Sequence, residues 1–345
     1  MKKIFLLTII YMVAHHALYS QGCVAIRSTG AICTKQDPHN ADKWQFNTSY
    51  RYFKSFRHFV GTEEQKQRIA QHTQVINHQH TLNLTLVRHF DMRWSMAIDV
   101  PLLMNTRSSL YEHGGNAAGQ AGRHTTSSSG VGDVRITGYR WLLNPMKSMK
   151  GNIQVGLGVK LPTGNDNVQD YFIKSDSVHT RGPVDQSIQL GDGGFGVTTE
   201  LNAFYNFSDK VGVYGNFYYL INPRGENGVS NTRGEKPSQS AIDYETATMS
   251  VPDQYMARAG VNLNFNRLST SAGMRMECIP SSDLIGNDKG FRRPGYVLSV
   301  EPGASYSFKK FVAFATVPVA VERNRTQSHS DKLKTAATGV YAQGD

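Results

Sequence analysis

The chain has 345 residues and a formal net charge of +10 with its histidines neutral. Mean hydropathy is −0.41, and no stretch reaches the roughly 18 uninterrupted apolar residues that a membrane-spanning helix needs, so helical spans are excluded. That value does not exclude a membrane β-barrel, whose strands are apolar only at alternate positions.

The first element is an export signal. Lys2 and Lys3 precede an uncharged apolar run over residues 4–14, too short to span a bilayer but suited to the core of a secretory leader. Ala17 and Ser20 supply small residues for cleavage before Gln21, which predicts a signal peptide over 1–20 and a periplasmic segment over 21–43. Losing Lys2 and Lys3 takes the formal charge from +10 to +8. An exported basic chain points to acidic lipid headgroups or anionic solutes as partners, and away from nucleic acid. Cys23 and Cys33 lie close together in an oxidising compartment and are the disulfide candidate. The rival reading makes Cys23 a lipid-anchored terminus after Gly22, against which Ser20 stands where an aliphatic residue is usual. With Cys278, three thiols do not make a metal site.

From residue 44 onward the pattern is period two. Strands are predicted over 44–56, 75–88, 93–104, 131–143, 151–162, 196–207, 211–222, 254–265, 268–278, 296–308 and 311–322. In "GNIQVGLGVKLPTG" the odd-numbered residues from Ile153 to Leu161 form one apolar face, while Gln154 and Lys160 lie on the other. "TEEQKQRIAQH" is helix-like but carries too little apolar surface for a core helix. Connections alternate without a slip between short (89–92, 144–150, 208–210, 266–267, 309–310) and long (57–74, 105–130, 163–195, 223–253, 279–295, 323–338). Soluble sandwiches mix loop lengths, whereas outer-membrane barrels have short periplasmic turns and long outer loops.

The expected fold is therefore an all-β antiparallel transmembrane barrel over 44–345, in the bacterial outer membrane, with outer-membrane lipid as its surroundings. Six long loops call for about twelve strands. Eleven are visible, and "GVYAQGD" would begin the last, so that strand is expected to be incomplete or irregular. Trp44, Phe46, Tyr50, Tyr52, Trp94, Tyr139, Trp141, Phe204, Tyr205, Phe207, Phe217, Tyr218, Tyr219 and Phe308 cluster towards strand ends and are read as interfacial belts.

"GVGDVRITGYRWLL" (130–143) followed by "GLGVKLPTGN" (156–165) resembles the outer-membrane barrels associated with meta-pathway phenol degradation. That family is broadly similar to channels for hydrophobic compounds, including the fatty-acid transport porins. With "GCVAIRSTG", "RSSLYEHGGN", "GPVDQSIQLGDGG" and "VPDQYM", the whole chain is similar to an uncharacterised barrel family of Bacteroidetes. The first resemblance implies transport. The second implies no substrate, and neither supplies catalytic residues.

In a barrel the polar strand face lines the lumen, which makes Arg51, Arg135, Lys160, Glu200, Arg258, Arg275, Glu277 and Glu301 the lumen-lining candidates. Such charges either select ions or fill the lumen as a salt-bridge network. The loops "SSLYEHGGNAAGQAGRHTTSSSG" and "GPVDQSIQLGDGGFG" either fold over or into the mouth, or stay solvated; "RGENGVSNTRGEKPSQ" reads as a solvated loop. "GDGGFG" lacks the Lys-Ser/Thr pair and the helix of a phosphate loop. His78 and His80 share the outward face with Leu82 and Leu84, and Asp99 falls on the opposite one, so no metal site and no cofactor is expected. "QSHSD" sets Ser328 beside His329 without triad geometry. The reading is non-enzymatic: a passive channel for uptake or efflux of small hydrophobic or anionic solutes. The alternative is a non-conducting structural or receptor barrel, alone or within an envelope complex, with its partner proteins left open.

Overall fold

The computed structural model describes residues 43–343. The expected signal peptide, periplasmic segment and Cys23–Cys33 pairing lie outside these residues, apart from Lys43. β1 (Trp44–Ser55) enters a loop holding the two-residue strands β2 (Phe59–Val60) and β3 (Glu63–Glu64) and the short helix α1 (Lys66–Ala70), then returns as β4 (Ile76–His89). β5 (Trp94–Ser109) pairs along its upper half with β6 (His124–Val131) and along its lower half with β7 (Arg135–Trp141). β8 (Gly151–Lys160) is followed by an outer hairpin, β9 (Gln169–Ser175) and β10 (Val178–Pro183), and then by β11 (Gly196–Asn206) and β12 (Val211–Ile221). The next outer loop holds β13 (Glu226–Ser230), helix α2 (Gln239–Asp243) and β14 (Thr248–Ser250). β15 (Gln254–Phe265), β16 (Leu268–Ile279), β17 (Gly295–Ser307), β18 (Val312–Thr316), β19 (Val319–Arg325) and helix α3 (His329–Thr338) complete it.

One antiparallel sheet carries the molecule, in the order β1-β4-β5-β7-β8-β11-β12-β15-β16-β17-β18, with β19 continuing β18 along β17. Consecutive strands are neighbours throughout, as an up-and-down barrel requires. The sheet curls until Arg51 of β1 reaches Glu277 of β16 at 3.1 Å, and Gly61 and Arg325 exchange backbone hydrogen bonds (3.0 and 2.8 Å) at the upper seam. The fold is an all-β transmembrane barrel. Eleven staves are present among the described residues, and residues 340–343, where a twelfth was expected to begin, form no strand.

The two faces follow the parity read from the sequence. Leu157 is 66 % exposed on the outer face, whereas Lys160 is 4 % exposed on the inner one. Outward Tyr50 and Tyr52 meet outward His80 and His78 (2.6 and 2.8 Å), so these histidines take part in an interfacial cluster.

Several expectations are corrected. Tyr139, Trp141 and Tyr218 are buried on the inner face, and Phe204 shares that face; they are not interfacial anchors. The strand expected over 131–143 breaks at 132–134, and the loop expected over 105–130 is strand at both of its ends, because β5 and β6 extend the sheet above the break. Ser328, set aside as a nucleophile, N-caps α3: its hydroxyl accepts from the Asp331 N–H while the Asp331 carboxylate accepts from the Ser328 N–H.

Candidate functional site

Alternation puts every polar residue of a given parity inside the barrel, where a buried charge must find a partner. On β15, β16, β17 and β1 the partners form one chain. Glu301 binds Arg258 and Arg275 (3.4 Å to the latter), and Glu277 binds Arg275 and Arg51 (2.9 and 3.1 Å). Five of the eight sequence candidates thus join in a single band, and Arg51 carries it from one end of the sheet to strands near the other.

The other three candidates sit on a second wall. The Tyr139 hydroxyl donates to Glu200 at 3.0 Å, and Arg135 lies over the Tyr218 ring at 5.9 Å. Gly156 makes this possible: a Cβ there would stand 2.7 Å from the Tyr139 ring and 3.1 Å from Glu200. Asp99, on the same face, accepts from Thr85. At the top of β8, Lys160 binds Asp192 and lies 3.8 Å from Asp133. Asp133 itself bridges the break between β6 and β7 to the next loop, accepting from the Gly164 and Asp192 N–H groups at 3.0 and 3.2 Å.

Above this band the loop after β10 turns into the mouth. Val184, Ile188 and Leu190 are buried there. Asp185 starts the turn by accepting from the Ser187 N–H (2.9 Å) and hydroxyl (2.6 Å), the capping geometry its short carboxylate favours. The plug is then tied to the walls and to the outer-loop strand β14. Gln79 donates to the Ser187 carbonyl at 2.7 Å, Asn105 and Ser128 donate to the Ile188 carbonyl, and Gln186 donates to the Ser250 carbonyl at 2.7 Å. Asp185 also takes a two-point contact from Arg293 (3.0 and 2.8 Å) and one from Arg107 (3.4 Å).

Burial alone would raise the Asp185 pKa, but Arg107 and Arg293 hold it well below the ordinary carboxylate range. Glu112 behaves alike: burial pushes it up, and Arg107 at 3.0 Å with Arg233 at 3.3 Å brings it below its usual value. Arg233 lies in the stretch read as a solvated loop, which is corrected here: it also stacks on Tyr111 at 5.0 Å, and Arg224 from the same stretch donates to three backbone carbonyls.

At the opposite, short-turn end the inner face becomes aromatic. Trp141 and Phe204 meet edge to face at 5.9 Å, and Tyr214 passes over Gly260 and Gly273, where an added Cβ would come within 2.7 and 2.6 Å of its hydroxyl. Among the described residues there is no group of three or more metal-binding side chains.

No family model matches the chain, and no curated protein matches it. A solved structure, the COG4313 outer membrane channel from Pseudomonas putida F1, is similar to it with a TM-score of 0.50 at 13 % identity, over 87 % of this chain and 97 % of that one. The fold is that of an outer-membrane β-barrel. Two further structures align more loosely. One is a FadL homologue of Pseudomonas aeruginosa (TM-score 0.39, 9 % identity, 82 % of this chain and 72 % of that one). The other is the CymD monoaromatic hydrocarbon channel (TM-score 0.37, 11 % identity, 83 % and 80 %). With its lipid-facing band, the barrel resides in the bacterial outer membrane.

Sequence reasoning found the wall charges and missed those that hold the plug: Arg107, Glu112, Asp133, Asp185, Asp192, Arg233 and Arg293. Arg107 was within reach, because it shares the parity of Asp99 and Asn105 on β5. The plug also left a trace, since Val184, Ile188 and Leu190 are apolar residues without a strand to belong to.

Proposed function

We propose that this barrel is a passive channel for small hydrophobic, chiefly aromatic, solutes, with its lumen charges lining the route and its loop 184–192 acting as the constriction. The observation that carries this reading is the construction of the mouth. The plug is held by separate polar contacts and by two ion-pair latches, Asp185 on Arg293 and Arg107 and Asp192 on Lys160, not by strand pairing, so it can move without dismantling the wall. Inward-facing Trp141, Phe204 and Tyr214 at the short-turn end offer ring faces to an aromatic solute, while the paired side chains of the charged band take up lumen space that a bulk water-filled pore would need. The resemblance to barrels associated with meta-pathway phenol degradation fits a small aromatic cargo, but that family name reflects operon association and assigns no phenol. The roles of Arg51, Arg135, Lys160, Glu200, Arg258, Arg275, Glu277 and Glu301 as lumen-lining selectivity groups belong to this proposal.

A second reading, a non-conducting structural or receptor barrel, is favoured by how fully the ion pairs and plug occupy the interior. Reconstitution separates the two. Proteoliposomes holding the purified barrel should take up a small neutral aromatic faster than protein-free vesicles. No solute flux together with no conductance in planar bilayers would remove the channel reading and leave the second.

A further inference from the structure

The five short turns and the strand ends they join (residues 88–94, 140–151, 207–211, 265–268 and 308–311) hold nine lysines and arginines against two carboxylates, in a chain whose totals are 37 and 27. One of the two carboxylates, Asp91, is engaged within its own turn, accepting from the Arg93 and Trp94 N–H groups at 2.6 and 2.7 Å. The outer loops carry both signs and pair them, as Arg233 with Glu112 and Arg292 with Asp283. Most of the positive excess of the chain therefore sits at one end of the barrel.

Four of these turns repeat one order of residues. "FDMR", "FSDK", "FNR" and "FKK", beginning at Phe90, Phe207, Phe265 and Phe308, each open on an exposed phenylalanine and reach a cation within three positions. The fifth, "NPMKSMK" (144–150), follows exposed Leu142 and Leu143 with Lys147 and Lys150. An apolar side chain with a cation just beyond it repeats the layers of a membrane interface, hydrocarbon and then headgroup. The strand ends add to this. Arg88 lies over Trp44 at 5.3 Å and Arg140 over Trp94 at 5.0 Å. Both indoles face outward and are 62 and 47 % exposed: Trp44 has the parity of Tyr50, and Trp94 the parity opposite to Asp99. Each guanidinium is thus carried on a lipid-facing ring at the edge of the hydrocarbon.

We propose that this end of the barrel is a girdle that binds anionic phospholipid of the periplasmic leaflet, its rings in the acyl boundary and its cations on the headgroup phosphates. Short turns mark the periplasmic side. Each lysine or arginine beside a membrane adds to the attraction for an anionic surface, so a girdle of them selects a lipid with net charge over a zwitterionic lipid with the same acyl chains. The inference needs the barrel and its orientation and does not depend on conduction.

The test reads the fluorescence of Trp44 and Trp94, which lie in the girdle, over a constant background from lumen-facing Trp141. The purified barrel is reconstituted in phosphatidylcholine vesicles containing rising fractions of dibrominated phosphatidylglycerol or, separately, dibrominated phosphatidylcholine, and quenching gives the relative affinity of the two lipids. Phosphatidylglycerol should be preferred about threefold or more at low ionic strength, and less at about 0.5 M salt. Combining Lys147→Gln, Lys150→Gln, Lys309→Gln and Lys310→Gln should remove most of that preference. Combining Lys66→Gln, Lys236→Gln, Lys332→Gln and Lys334→Gln, which removes the same charge from exposed positions at the outer end, should leave it. Folding of each variant is checked by its heat-modifiable gel mobility, and if the first does not fold, the wild-type preference and its salt dependence decide. Equal quenching by the two lipids, a preference that salt does not weaken, one that survives the first set of substitutions, or one that both sets abolish equally would each overturn the proposal.

Discussion

The plug latch gives the most direct test of the channel reading. Asp185→Ala removes the carboxylate that Arg293 grips at 3.0 and 2.8 Å and Arg107 touches at 3.4 Å. Removing one partner of a buried ion pair typically destabilises by about 3–5 kcal/mol. The low end applies, because Arg107 keeps both Nε contacts to Glu112 at 3.0 Å and only Arg293 loses its carboxylate. The wall is untouched, so the loss falls on the plug-in state. About 3 kcal/mol shifts the in–out equilibrium on the order of a hundredfold. In planar bilayers the variant should show more frequent or larger open events, and limited proteolysis should cut within 184–192 faster than in wild type. A variant that folds yet keeps wild-type conductance and wild-type protease resistance would refute the latch.

Four further outcomes follow from the same geometry. Glu301→Gln takes the carboxylate from Arg258 inside the wall, while Arg275 keeps Glu277 at 2.9 Å, and should cost about 3 kcal/mol, read as a lower temperature for the gel-mobility transition. Gly156→Ala drives a Cβ to 2.7 Å from Tyr139 and should cost about 1–3 kcal/mol in urea unfolding, against nearly nothing for an alanine at the outward Gly138. Leu157→Arg, on the lipid face, should cost about 2–4 kcal/mol in bilayers if it sits near the midplane and much less in detergent. His113, outside the wall, accepts from the Ile173 N–H at 3.0 Å, and burial pushes its pKa down to about 4. Its folded value lies below the ordinary ~6.5, so its contribution is complete above pH ~6.5 and is lost as the pH falls towards 4. Corrected for the intrinsic pH dependence of amide exchange, the protection factors of the β9–β10 hairpin should therefore fall between pH 6.5 and 4, and His113→Gln should flatten that dependence.

What the sequence revealed and what it hid divide along a physical line. A strand's side chains alternate by geometry, so once the lipid-facing set was known, the inward direction of Arg51, Arg135, Lys160, Glu200, Arg258, Arg275, Glu277 and Glu301 followed residue by residue. Pairing did not follow, because it depends on register and on the curl that brings β1 to β16; Arg51 and Glu277 meet across 226 positions of sequence. Aromatic residues misled for a related reason. Tyr139, Trp141 and Phe204 lie near strand ends like true interfacial anchors, and only their parity, shared with Arg135 and Glu200, marks them as inward.

Loops have no period to read, and there the physics that decides is desolvation. A solvated reading of "RGENGVSNTRGEKPSQ" treats each charge alone, but Arg233 is placed by Glu112, itself buried by Arg107 on the wall. The chain Arg233–Glu112–Arg107–Asp185–Arg293 therefore links two outer loops, a wall strand, the plug and the approach to β17 through charges that none of those segments could bury alone. Removing Asp185 leaves Arg293 with an uncompensated buried charge, while Arg107 then depends on Glu112 alone, which it shares with Arg233. The effect of Asp185 substitutions should consequently be felt at Arg233, and the double variant Asp185→Ala with Arg233→Ala should depart from additivity in the proteolysis assay, as groups sharing one network do.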